Sequence, residues 1–235
     1  MNVPPVVLLP GMMLDRQLFA AQLKALSGVT EAFVGDITRF DSIDAIAADV
    51  LARAPARFAL IGLSMGGIVA LEIWRRARDR ITHLGLLDTT PHVDRPDRQA
   101  LRLEQIAAVD NGGLRELVVD SLKPRYLAPK NRGDKRLLQS IVDMALALGP
   151  DVFRRQSLAL RERRASVETL TTVDCPALVL CGREDELCPP EIHAAMASAM
   201  PRADLIVLAE CGHLSTMEEP DAVNDALRRL LRRSS

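Results

Sequence analysis

The sequence predicts an α/β protein: a sheet of about six mostly parallel strands, helices on both faces, and an inserted helical cap. Three observations carry this. Short apolar runs alternate with amphipathic stretches up to Leu87 and again after Pro176, the pattern of parallel strands joined by crossover helices. Between Pro91 and Asp174 the alternation stops and only helical periodicity remains. One glycine-framed turn, Gly62-Leu63-Ser64-Met65-Gly66, connects a strand directly to a helix. At 235 residues the chain suits one substantial core better than two. The expected division is therefore 1–90 and 175–235 as the core, with 91–174 as the cap.

Val6 to Leu9 is a continuous apolar run ended by Pro10-Gly11, which reads as a strand buried on both faces. Asp15 can cap the helix that follows, with Leu18, Phe19, Leu23 and Leu26 on one face. Ala32 to Ile37 is a weaker strand. Ile43 to Ala54 is a helix with Ile43, Ile46, Ala47 and Val50 as its apolar stripe, stopped by Pro55. Phe58 to Leu63 is the next strand, Ile68 to Arg78 the helix after the serine turn, and Leu84 to Leu87 another strand. Helices follow over about 97–109, 114–122, 135–148 and 152–164, broken at Asn111-Gly112-Gly113, Pro124, Pro129 and Gly149-Pro150. Strand Ala177 to Cys181, helix Glu191 to Met200, strand Leu205 to Leu208 and a closing helix from Glu219 to Leu231 complete the chain.

Composition bounds the function. A net charge of -1 with no basic, aromatic-interleaved motif gives no reason to expect nucleic acid. The apolar stretch from Val3 to Leu14 is interrupted by three prolines and is too short to span a bilayer. With no basic segment before it, it does not read as a targeting signal. No membrane association is expected, and a cytoplasmic location is the default. Cys175, Cys181, Cys188 and Cys211 form no C-x-x-C pair or zinc-ligand spacing, so buried reduced thiols are expected and no metal.

The serine turn carries the chemistry. A strand that folds straight into a helix needs glycines where a Cβ would strike a neighbour, and Gly62 and Gly66 meet that need. The turn lifts the Ser64 hydroxyl above the sheet and brings the Met65 N–H and a helix N-terminus to the same spot. Serine needs a base to become a nucleophile. Of four histidines, His213 lies in a loop after a strand, at the edge where the carboxyl ends of parallel strands converge. His83 opens a strand, His92 enters the cap and His193 lies in a helix. A carboxylate must hold the base's tautomer. Asp185, in Gly182-Arg183-Glu184-Asp185-Glu186, is the first candidate and Asp88, ending an earlier strand, the alternative.

The chain order Ser64, Asp185, His213, with the G-x-S-x-G turn, the G-x-x-D-x-x-x-P loop and the Gly212-His213 loop, resembles the α/β-hydrolase family. The likeness covers about Val6 to Leu231. It implies an α/β-hydrolase fold, here without a leading antiparallel pair, so that all strands are parallel. It further implies an oxyanion hole from the backbone N–H groups of Met12 and Met65. Proline stands at position 10, where the family often has histidine, so how this loop is braced is an open point. The resemblance implies a serine hydrolase acting on a carboxylic ester or related acyl compound, without metal or organic cofactor. The same triad also supports acyl transfer, perhydrolase or haloperoxidase-like chemistry and C–C hydrolysis. A non-catalytic ligand-binding relative is the remaining alternative.

The expected partner is a small-molecule acyl or ester substrate. Met12, Met13 and Met65 are expected around the pocket, with Met13 a substrate contact; such a lining is apolar and adaptable. Pro91 to Leu170 holds 15 Lys or Arg against 11 Asp or Glu, and a basic cap over the site could favour an anionic or carrier-linked acyl group. The acyl group, the acceptor and the oligomeric state are not legible in the sequence.

Overall fold

The computed structural model describes residues 3–122 and 125–234; Pro124, expected as a helix breaker, lies outside them. Strands β1 (Val6–Leu9), β2 (Ala32–Val34), β3 (Phe58–Leu63), β4 (Ile81–Leu87), β5 (Ala177–Gly182) and β6 (Ala203–Leu208) form one sheet in the order β2-β1-β3-β4-β5-β6. Every pairing is parallel. The expected six-stranded fold is the observed one.

The apolar runs are continuous because both faces are covered. Along β1, Val7 and Leu9 pack on one face and Val6 and Leu8 on the other; β3 divides the same way, Phe58 and Leu60 against Ala59, Ile61 and Leu63. This is the two-residue period of a strand expressed between two apolar layers. Helices α2 (Ile43–Arg53), α3 (Met65–Ala77) and α8 (Pro190–Ala199) cover the first face. Helices α1 (Ala20–Leu26), α9 (Ser215–Glu218) and α10 (Pro220–Leu231) cover the second. Asp15 accepts the Gln17 N–H at 2.7 Å and caps a 3-10 turn, Arg16–Phe19, that leads into α1. The edge strands are less apolar in setting: Phe33 of β2 is 45% exposed.

Between β4 and β5 the described chain is helical: α4 (Pro96–Asp110), α5 (Leu114–Glu116), α6 (Lys135–Arg161) and α7 (Val167–Leu170). After α5 the chain widens into π-helical hydrogen bonding over Leu117–Leu122. The expected break at Gly149-Pro150 is a kink inside α6, with Gly149 at φ 80° and ψ 177°, a conformation open to glycine and costly for other residues. These helices bury a small core of their own, including Val109, Val142 and Phe153. No described helix is long and apolar enough to cross a membrane.

Candidate active site

The carboxyl ends of β1, β3, β4, β5 and β6 feed the loops that carry every candidate group. At the end of β3, Ser64 has φ 54° and ψ −117°, a strained backbone that persists only because its surroundings over-determine it. The strain has visible supports. Ser64 N–H donates to Leu87 O at 2.9 Å. Its carbonyl accepts Gly67 N–H, Ile68 N–H and, at 2.7 Å, the Thr89 hydroxyl. A Cβ on Gly66 would lie 2.0 Å from Leu9 O and one on Gly62 2.2 Å from Gly66 O, so the turn admits only glycine at both.

His213 follows β6 and is 3% exposed. Its Nε2 lies 2.8 Å from Ser64 Oγ and its Nδ1 2.8 Å from Asp185 Oδ2. Asp185 Oδ1 accepts the N–H groups of Leu187 and Cys188 at 2.8 and 2.9 Å. Burial works against the Asp185 charge, but His213 and these N–H donors outweigh it and hold the carboxyl below the usual carboxylate range. Burial likewise opposes an imidazolium at His213, and the charge and hydrogen bond of Asp185 reverse this, raising its pKa above the ordinary 6.5.

Asp88 does not meet the imidazole. It accepts Gly182 N–H at 3.1 Å and the Ser215 hydroxyl at 2.5 Å, tying the ends of β4 and β5 to the residues after His213. Burial first, and then repulsion from Asp185, pushes its carboxyl well up. His92 lines the cavity from the inserted segment, and the two remaining histidines are occupied elsewhere. His83, in β4, meets Arg233 O at 2.9 Å. His193, fully buried in α8, accepts Thr89 N–H on Nε2 at 3.0 Å and donates from Nδ1 to Pro189 O at 3.2 Å. Accepting on Nε2 requires the neutral ring, and burial, which lowers its pKa, acts in the same direction; it braces Thr89 beneath the serine.

The Met12 and Met65 N–H groups have no acceptor among the described residues, and both residues line the cavity in front of Ser64. Met13 is placed differently from the expectation. Its backbone has φ 57°, which turns the side chain, 2% exposed, away from the cavity and among Val109, Val142 and Phe153 of the inserted helices. It packs the loop onto the inserted helices and is not part of the cavity lining. Its N–H donates at 2.8 Å to Oε1 of Gln156, fully buried on α6, whose Nε2 donates to Ile37 O at 3.3 Å. Gln156 is thus the brace for a loop that has proline where histidine is usual.

Glu218 has a similar task at the other end of the site. One oxygen accepts the N–H groups of Gly212 and Leu214 at 2.9 and 3.3 Å; the other accepts Ala128 N–H at 2.8 Å. No sequence signal marks Gln156 or Thr89, because each acts through backbone groups distant in the chain; Glu218 joins two nearby N–H groups to the distant one of Ala128.

All four cysteines are free and buried. Ligating atoms of Asp185, Cys188 and His213 lie within 4.8 Å of one another, but Asp185 and Nδ1 of His213 are spent on each other. Burial raises the Cys188 thiol well above its ordinary pKa. A cavity of about 700 Å³ opens in front of Ser64, bounded by the core loops and by the inserted helices.

Comparison with known proteins agrees with the fold. The chain matches the profile of the alpha/beta hydrolase family over residues 6–226. It is 31% identical to the solved structure of a thermophilic esterase from Thermogutta terrifontis, malate-bound, with a TM-score of 0.90 over 97% of this chain and 89% of that one. It is 26% identical, over 77% of this chain and 74% of the relative, to the pimeloyl-[acyl-carrier protein] methyl ester esterase of Nitrosomonas europaea. The enol-lactonase of Burkholderia xenovorans LB400, 23% identical, shares the fold with a TM-score of 0.89 over 99% of this chain and 93% of that one.

Proposed function

The chain belongs to the alpha/beta hydrolase family and is an enzyme, and from that premise we propose that it hydrolyses a carboxylic ester through an acyl-enzyme on Ser64. The observation that carries the reading is the continuous relay at 2.8 Å on both sides of His213. Nε2 accepts the Ser64 proton as Oγ attacks the ester carbonyl. Nδ1–H remains donated to Asp185, which fixes the tautomer and stabilises the imidazolium that forms. The oxyanion is received by the N–H groups of Met65 and Met12, each such donor being worth about 3 kcal/mol in the transition state. His213 then returns the proton to the leaving alcohol. In the second half it deprotonates water, which attacks the acyl carbon, and Ser64 leaves with the proton. Each step uses groups the chain supplies.

The helices over 91–174 serve in this reading as a cap. They wall the cavity and, through Gln156 and the Glu218 clamp, hold the loops that carry the oxyanion donor and the base. The relatives that bear the name esterase support the substrate class.

The test is exposure to 4-nitrophenyl butyrate and, separately, to a serine-directed phosphonate. Expected are turnover of the first, a covalent mass adduct on Ser64 with the second, and neither in Ser64→Ala. Absence of both turnover and adduct in the parent protein refutes the proposal.

A further inference from the structure

The inserted helices bring an unusual charge arrangement to the cavity wall. Asp94, Arg98, Arg102 and Arg163 all line it. Asp94 accepts Arg163 Nη2 on one carboxylate oxygen at 2.9 Å and Arg102 Nε on the other at 2.5 Å, and Arg98 Nε lies 3.7 Å from it. Three guanidiniums therefore share one carboxylate. Arg163 is spent, since it also donates to Leu160 O and His92 O. Arg102 is not. Its side chain is 8% exposed, yet among the described residues its Nη1 meets only the Met12 thioether, at 3.8 Å, and its Nη2 meets no acceptor. The other carboxylate on the wall, Glu186, is paired with Arg132 at 2.7 Å.

Arg102 lines the cavity with outer donors that no acceptor among the described residues completes, and an anion entering there would complete them. The planar Nη edge presents two parallel N–H groups, the geometry that takes a carboxylate in a fork. Arg102 reaches Met12, whose own N–H is the proposed oxyanion donor, so the cationic edge stands one methionine side chain away from the reacting carbonyl. Resting on the ester-hydrolase reading above, we propose that the substrate is anionic: a monoester of a short dicarboxylic acid. Its free carboxylate sits on Arg102 and Arg98, and its ester carbonyl lies at Ser64. Water cleaves the acyl–oxygen bond, and the products are the alcohol and the dicarboxylate.

The experiment pairs two ligands of equal acyl length. Turnover of mono(4-nitrophenyl) glutarate is compared with 4-nitrophenyl pentanoate. Binding of monomethyl glutarate and of methyl pentanoate to Ser64→Ala is measured by calorimetry, which needs no catalysis. Expected is a preference of about tenfold or more for the anionic member in both kcat/KM and affinity, the range of one charge-assisted hydrogen-bond set. Arg102→Gln should remove most of that preference. Because Arg102 also supports Asp94, the second variant is Arg98→Ala, whose side chain is 43% exposed and whose loss should lower the preference about threefold. A drop in the ratio with either variant supports the assignment. A ratio near one in the parent protein, or a ratio unmoved by both variants, overturns it. Selective binding without turnover or adduct would leave the anion site standing and defeat the hydrolase reading instead.

Discussion

Replacement of Gln156 by leucine tests whether the inserted helices do more than cover the cavity. The side chain is fully buried and satisfies two backbone groups, the Met13 N–H at 2.8 Å and the Ile37 carbonyl at 3.3 Å. Leucine fills similar space and satisfies neither. An orphaned buried polar group costs about 1–3 kcal/mol, so two predict a loss of about 2–6 kcal/mol in unfolding free energy by urea titration. The effect on activity has a separate origin. Met13 sits at φ 57° beside the proposed donor Met12, and without its acceptor the loop is free to relax toward a more common backbone. Full loss of an oxyanion donor lowers kcat about a hundredfold to a thousandfold; a displaced donor should cost about ten- to a hundredfold. The loss should fall on kcat with KM little changed, because the ground-state carbonyl hardly uses the donor. The assay is steady-state kinetics on 4-nitrophenyl butyrate at a temperature where the variant remains folded by circular dichroism. A folded variant with kcat within twofold of the parent would refute the bracing role.

Three further variants test the same geometry. Asp185→Asn should lower kcat/KM by about a thousandfold or more. Activity needs the neutral imidazole and so rises with pH through its pKa. Without Asp185 the lowering effect of burial dominates, and the acid limb of the pH profile should move to lower pH. Asp88→Asn, which leaves His213 untouched, should cost far less, and an equal loss in the two variants would reassign the acid. Gly67→Ala would put a Cβ 2.6 Å from the Thr89 side chain that supports the Ser64 carbonyl. Overpacking of this kind costs about 1–3 kcal/mol, lowering Tm by several degrees in a chain of this size; an unchanged Tm by differential scanning fluorimetry would contradict the packing.

The alternation of apolar runs and amphipathic stretches determined the sheet, because a strand buried on both faces and a helix with one apolar stripe leave different periodicities in the chain. Ser64 was legible for a related reason: the strand-to-helix turn demands glycine at Gly62 and Gly66, and backbone clashes of 2.0–2.2 Å leave no other residue. His213 and Asp185 are readable as loop residues at the ends of strands, with Asp88 as the alternative to Asp185. That choice belongs to the tertiary structure, which puts one carboxylate on Nδ1 and spends the other on Ser215 and Gly182.

Other features have no local signature at all. Gln156 binds an N–H 143 positions away, and its partners are backbone groups that any sequence would offer. Met13 follows Met12 in the chain, yet folding packs its side chain among the inserted helices while Met12 lines the cavity. The partly paired guanidinium of Arg102 is likewise invisible in a net charge of -1, since only folding decides which charges share a carboxylate. Periodicity and steric necessity are written along the chain, whereas pairing between distant polar groups exists only once the chain has closed on itself.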